Sequence, residues 1–218
     1  MIRPTLIVFA RAPAIGVGKT RLARDVGRVE AWRVYRGLVA DLLRRLGDPR
    51  WRLVVRLSPD RSGRPSGWPT GLAREAQGSG GLGQRLERAL RAHARGPVAV
   101  IGADAPEVTR ERIARAFKAL RRTGAVFGPA EDGGFWLMAL SARRARRAGL
   151  AGVRWSSPHA LADTVAALGG APPVYLEALI DIDDGAALLA WRERSSRPSM
   201  VVAPEATASS VLESEPNI

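Results

Sequence analysis

The 218-residue chain contains no cysteine. That absence excludes a disulfide framework, a thiolate metal site and a cysteine nucleophile. Lysine is almost missing too. Only Lys19 and Lys118 occur, so 32 of the 34 basic residues are arginine. The two histidines, His93 and His159, have no partner at metal-ligand spacing. His93 sits between Arg91 and Arg95 in a basic helical stretch and reads as solvated, and His159 after Pro158 reads as a helix-start or surface residue. No run reaches the ~18 consecutive apolar residues of a membrane span. The first residues enter a β-like stretch without the charged, apolar and cleavage regions of a leader, so a cytoplasmic protein is expected. There is no internal repeat.

Hydrophobic residues make up 46% and charged residues 25%, the composition of an ordinary globular domain rather than a disordered or collagenous chain. The length fits one domain. The net charge of +13 is the unusual feature. Residues 1–109 carry +11 and residues 110–218 only +2, and from Leu161 onward the balance is −6. A basic excess favours polyanionic partners such as nucleic acid, anionic membrane or phosphorylated small molecules. Most of the arginines, however, stand at helical spacing, as solvated helix faces do (Arg85, Arg88 and Arg91; Arg143 to Arg147). No RNP, KH or helix-turn-helix pattern accompanies them, so nucleic acid is not the expected partner.

Apolar, β-rich runs at Thr5–Ala10, Trp51–Leu57, Leu72–Gln77, Pro97–Ile101, Ala125–Phe127, Phe135–Leu140 and Pro173–Leu176 predict strands. Helical patterns separate most of them: one long pattern from the first loop to Leu46, then Leu82–Ala94, Thr109–Arg122, Ser157–Leu168 and Gly185–Arg194. Thr109 reads as an N-cap. Trp32, Trp51, Trp136, Trp155 and Trp191 are core candidates. The alternation predicts an α/β domain over residues 1–194 with a mainly parallel central sheet, followed by a flexible tail over 195–218. In such sheets ligands bind beyond the carboxyl ends of the strands, so the residues following each strand carry the functional expectation.

The first of these loops ends in Gly18-Lys19-Thr20. A P-loop would need glycine six residues before the lysine, and that place is taken by Pro13, which has no N–H to offer a phosphate. What remains is a glycine-bearing turn at a helix N-terminus, where Arg11, Lys19 and Arg21 could surround phosphates or simply stand in solvent. Asp104 directly follows an apolar strand. A carboxylate there can hold Mg²⁺ or Mn²⁺ against a diphosphate, or can equally form a turn. Glu131-Asp132-Gly133-Gly134 lies between two strands, and its adjacent glycines allow either close ligand approach or a tight turn. Asp181, Asp183 and Asp184 precede the last helix, where favouring the helix dipole explains at least one of them.

Six stretches, FARAPAIGVGKTRLA, GSGGLGQRL, IGADAPEV, VFGPAEDGGFWLMAL, VRWSS and DIDDGAALL, occur in the order found in one family. Over about Ile2 to Arg194 the chain resembles the glycosyltransferase-A-like (nucleotide-diphospho-sugar transferase, DUF2064-type) family, similar in fold to phospholactate guanylyltransferase and the molybdenum-cofactor nucleotidyltransferases. The resemblance implies a single-domain, Rossmann-like GT-A fold. It implies nucleotide contacts from Arg11, Gly18, Lys19, Arg21, Gly83 and Gln84, a Mg²⁺ or Mn²⁺ site at Asp104 and Asp183, and Asp132 as a base facing the acceptor. The chain departs from the pattern at Gly81, Ala103 and Ala105, and in its Asp183-Asp184-Gly185 segment. The expected activity is metal-dependent transfer of a glycosyl group from a nucleotide sugar to an acceptor. Alternatives are nucleotidyl transfer from an NTP to a phosphorylated acceptor, and a catalytically silent nucleotide-binding protein.

Overall fold

A computed structural model describes residues 2–60, 65 and 67–196. Fourteen elements follow one another: β1 (Thr5–Arg11), α1 (Thr20–Val26), α2 (Arg28–Arg45), β2 (Arg52–Ser58), β3 (Ala73–Ala76), α3 (Leu82–His93), β4 (Val98–Gly102), α4 (Arg110–Thr123), β5 (Ala125–Pro129), β6 (Phe135–Leu140), α5 (Ala142–Arg147), α6 (Ala160–Leu168), β7 (Val174–Tyr175) and α7 (Gly185–Ser196). They form a mixed α/β structure around one seven-stranded sheet of order β3-β2-β1-β4-β6-β5-β7. Only β6 runs against its neighbours β4 and β5, and every other pairing is parallel. The mainly parallel α/β architecture expected from the sequence is therefore present. The expected tail lies almost wholly outside the described residues, while α7 runs two residues past the anticipated boundary at 194.

Both faces of the sheet are covered, which explains why the strands read as continuous apolar runs. Along β1, Leu6 and Val8 enter a core shared with Val39, Leu42 and Leu43 of α2 and Ile113 and Leu120 of α4. Ile7 points the opposite way, into a core formed with Leu86 and Leu90 of α3, Phe127, Met138 and Ala145. A smaller cluster of Leu22, Ala31, Ile182 and Leu188 fastens α7 to α1 and α2. Among the described residues no helix is long and apolar enough to cross a membrane.

Three sequence expectations need correction. The helical pattern reaching Leu46 is two helices, broken at Gly27, whose φ of 84° suits glycine and lets the chain change direction. His93 is not solvated: its side chain is 8% exposed and Nε2 lies 3.0 Å from Glu75 Oε2, which also accepts from the buried Arg56 guanidinium at 2.7 Å. The last turn of α3 lies over β3, and helical spacing alone could not show this. The helix expected from Ser157 starts at Ala160. Of the tryptophans, Trp51 and Trp136 are fully buried, and Trp68, which lies between the predicted strands Trp51–Leu57 and Leu72–Gln77, is buried as well.

Gly128 on β5 shows how tightly the sheet is packed. A Cβ there would lie 2.2 Å from Cε2 of Trp136, whose indole Nε1 donates to the Glu177 carbonyl at 3.1 Å and cannot swing away without losing that bond. Gly128→Ala is therefore expected to cost about 2 kcal/mol or more in urea unfolding. Gly149→Ala, whose Cβ would meet nothing within 4 Å, is expected to stay within about 0.5 kcal/mol of the parent.

Candidate functional site

The parallel strands β1, β2, β3 and β4 end at one edge of the sheet, and a cleft of about 500 Å³ lies beyond them. Each strand end contributes to its wall: Arg11 from β1, Ser58 from β2, Gln77 just after β3, and Gly102, Ala103 and Asp104 from the end of β4. The turn before α1 adds Val17, Gly18 and Lys19, and α1 adds Thr20 and Arg21. Phe9 and Ala10 of β1, with Tyr35, Leu82, Arg85 and Asp183, complete it.

Main-chain contacts fix these positions. Tyr35 reaches from α2 to the end of β1, where its hydroxyl accepts from Arg11 N at 2.9 Å and donates to Arg11 O at 3.1 Å. Burial pushes the Tyr35 phenol up to about 12, so it remains a neutral donor. Gln77 is buried and donates to the carbonyls of Ala10 and Arg56, tying three strand ends together. Gly102 leaves room for a carboxylate, because a Cβ there would come within 2.6 Å of Asp104 Oδ1. The Asp104 carbonyl accepts from Ile182 N at 3.1 Å, which draws the segment before α7 alongside β4. Asp184 then caps α7 by accepting from Ala187 N at 2.8 Å, and so is the acid with the helix-start role.

Lys19 lies at the centre of the site. Its Nζ is 2.9 Å from Asp104 Oδ2 and 2.5 Å from Asp183 Oδ1, and the side chain is 11% exposed. Burial alone would lower its pKa, but the charges of Asp104 and Asp183, and the hydrogen bonds to both, hold it above the ordinary lysine value. Lys19 takes left-handed backbone angles (φ 47°, ψ 44°) and contributes no side-chain cap to α1. The guanidinium groups of Arg11 and Arg21 line the cleft with no acidic partner among the described residues, whereas Arg85 donates to the Gly80 carbonyl at 2.7 Å.

Asp181 is the residue whose importance the sequence did not reveal. Its Oδ1 is buried without a hydrogen-bond partner among the described residues. Burial raises its pKa far above the carboxylate range, the charges of Asp104, Asp132 and Asp183 push the same way, and Lys19 opposes them. Adjacent acids in a sequence do not disclose which one turns inward. Tyr35 is likewise unmarked in sequence, and Gln77, the last residue of the predicted strand Leu72–Gln77, stands just after the observed β3 and so escaped the strand-end rule.

The expected site residues divide accordingly. Arg11, Gly18, Lys19, Arg21, Asp104 and Asp183 are brought together around the cleft. Gly83 and Gln84 are not. Gly83 is buried within α3 against Trp155, and Gln84 turns back so that its Oε1 accepts from Gly81 N at 3.0 Å, capping the helix beside a separate groove. Asp132 is exposed on the β5–β6 turn, where it accepts from Gly134 N at 2.9 Å, outside the cleft lining but within electrostatic reach of Asp181. Among the described residues no three acidic, histidine or cysteine side chains form a ready metal cage. The donor set still suits a hard divalent cation. Such ions need only one or two carboxylates beside water, as Asp104 and Asp183 supply. The buried Asp181 oxygen, without a partner among the described residues, is a further hard donor within their electrostatic reach.

A carboxyl with a raised folded-state pKa contributes stability that is intact at low pH and lost as pH climbs from the ordinary value of 3.8 towards about 8. In metal-free buffer, Asp181→Asn is therefore expected to raise the melting temperature at pH 8 relative to the parent and to leave it nearly unchanged at pH 4. An equal shift at both pH values would show that Asp181 is not held in this way.

The fold is shared with proteins of known structure. A protein assigned as a nucleotide-diphospho-sugar transferase, from Desulfovibrio desulfuricans G20, superposes with a TM-score of 0.78 at 24% identity, over 91% of this chain and 90% of that one. Rv0371c of Mycobacterium tuberculosis H37Rv, solved as a complex with manganese, gives 0.52 at 17% identity over 88% and 99%. The 2-C-methyl-D-erythritol 4-phosphate cytidylyltransferase of Thermus thermophilus gives 0.53 at 21% over 89% and 99%. No curated protein matches the chain. Residues 42–157, just over half of the chain, match the family described as "Uncharacterized protein conserved in bacteria (DUF2064)". The chain belongs to that family.

Proposed function

We propose that this protein is a metal-dependent transferase that binds a nucleotide-diphospho-sugar and passes its glycosyl group to an acceptor. The observation that carries the reading is the charge layout of the cleft. Two guanidinium groups without acidic partners among the described residues line the cleft together with the Asp104–Lys19–Asp183 cluster at the start of α1. Arg11 and Arg21 would take the diphosphate oxygens, aided by the backbone entering α1. As the bond to the leaving diphosphate breaks, negative charge grows there, and guanidinium groups already in place stabilise it without reorganising. Asp104 and Asp183 would hold Mg²⁺ or Mn²⁺, which when bound supplies further neutralisation of the diphosphate. Asp132, on the rim beyond Asp181, would take the proton of an acceptor hydroxyl approaching from that side. Support for the reading also comes from the fold shared with the Desulfovibrio protein and from the manganese complex of Rv0371c.

Nucleotidyl transfer is the second reading, favoured by the fold shared with the Thermus cytidylyltransferase. The same cleft would then bind an NTP, and attack by a phosphorylated acceptor would release pyrophosphate. Products separate the two: a nucleoside diphosphate marks glycosyl transfer, and pyrophosphate marks nucleotidyl transfer. Binding tests both. A panel of nucleotides and nucleotide sugars with Mn²⁺ is expected to contain a ligand that raises the melting temperature by about 5 °C at a hundredfold excess over its Kd. Asp104→Asn is expected to lose most of that shift. Stabilisation by none of the panel, or an undiminished shift in the variant, would overturn the assignment.

A further inference from the structure

The two carboxylates assigned above to a divalent cation already hold a cation that belongs to the chain. The Lys19 ammonium contacts one oxygen of Asp104 and one of Asp183, and little of its side chain reaches solvent. The arrangement is built at a cost, because a non-glycine residue is kept in left-handed backbone geometry and the N-cap position of α1 goes without a side-chain cap. The residue type also matters. In a chain that uses arginine nearly everywhere, this position has lysine, whose compact, strongly hydrated point charge contacts one oxygen of each carboxylate without the bidentate grip of a guanidinium.

We propose that Lys19 is an internal counter-ion latch, holding the cation position between Asp104 and Asp183 in the ligand-free protein and yielding it when a divalent cation enters. The proposal rests on the reading of Asp104 and Asp183 as cation ligands. Two positive groups cannot share the same pair of carboxylate oxygens without strong repulsion, so an entering ion must drive the ammonium off. Lys19 already lines the cleft beside Arg11 and Arg21, and a displaced Nζ moves towards the place where phosphate oxygens would lie. Cation and phosphate ligand therefore favour each other, each removing part of the other's cost. With neither bound, the latch keeps the carboxylates from repelling one another and so holds the segment before α7 in place.

The scarcity of lysine supplies the experiment. Lys118 is exposed on α4 and serves as an internal reference for amine acetylation read by peptide mass spectrometry. In metal-free wild type, Lys19 is expected to acetylate about tenfold more slowly than Lys118. Saturating Mn²⁺ is expected to raise the Lys19 rate several-fold while leaving Lys118 unchanged. Calorimetric titration with Mn²⁺ alone is expected to show Lys19→Met binding about tenfold more tightly than wild type, with circular dichroism confirming the fold. Lys19→Gln removes the same charge if the methionine variant does not fold. If Mn²⁺ binds the folded variant no more tightly than wild type, and Lys19 labelling in Mn²⁺-loaded wild type does not rise, the latch is overturned while the cation site stands. If Mn²⁺ binds neither protein, the cation site fails and the latch fails with it.

Discussion

Three segments far apart in the sequence meet at a single ammonium group. Lys19 precedes α1, Asp104 follows β4, and Asp183 leads into α7, so the contacts close loops of 85 and 164 residues. Without the lysine, the Asp104 and Asp183 carboxylates would lie near the buried Asp181 with no ammonium between them. Asp181, raised chiefly by its burial and further by those two charges, already titrates high even with the lysine in place. The value of the contact lies less in its own strength than in what its loss would leave unpaired. The hydrogen bond from Ile182 N to Asp104 O and the buried Ile182 side chain make the same attachment by neutral means, which is how the acidic segment stays in register while its charges repel.

The rest of the site follows from strand direction. Because β1 to β4 are parallel, four strand ends open onto one edge and each delivers a residue to the cleft. The reversal of β6 changes the connection next to them. Strand β5 returns through the short turn at residues 130–134 instead of crossing over through a helix, and the turn is braced where Gly133 (φ 84°) packs against the backbone of Pro158. A side chain at 133 would collide with the Pro158 carbonyl, so the close packing of this turn, which carries Asp132, requires glycine there.

Much of this was legible in the sequence, because the signals are local or follow a general rule. The double-faced strands produce uninterrupted apolar runs, the helices carry an apolar stripe, and the strand-end rule singles out Arg11 and Asp104. Thr109 does cap α4, accepting from Arg112 N. What escaped was set by contacts between distant segments. Gly27 is one glycine in a helical pattern, and only the need to turn α2 onto the sheet makes it a break. His93 looks solvated among arginines until β3 places Glu75 beneath it. Gly83 and Gln84 resemble part of a ligand loop by family pattern, yet α3 begins at Leu82 as its own periodicity predicts and holds both within the helix, away from the cleft. The pairing of Lys19 with two carboxylates has no periodicity at all, and no pattern along the chain could disclose it.

The near-exclusive use of arginine bears on how a ligand reaches the cleft. A guanidinium keeps its charge at any pH a protein meets, whereas an ammonium titrates within reach of alkaline conditions. The positive charge of the first half of the chain, Arg11 and Arg21 of the cleft included, therefore persists where a lysine-built surface would fade. Such a field accelerates the encounter with an anion before any specific contact forms, and dissolved salt weakens it over a Debye length of about 8 Å at physiological ionic strength. Were the proposed phosphorylated ligand to enter this cleft, its encounter rate would fall with added salt while the arginine charges stayed unchanged with pH.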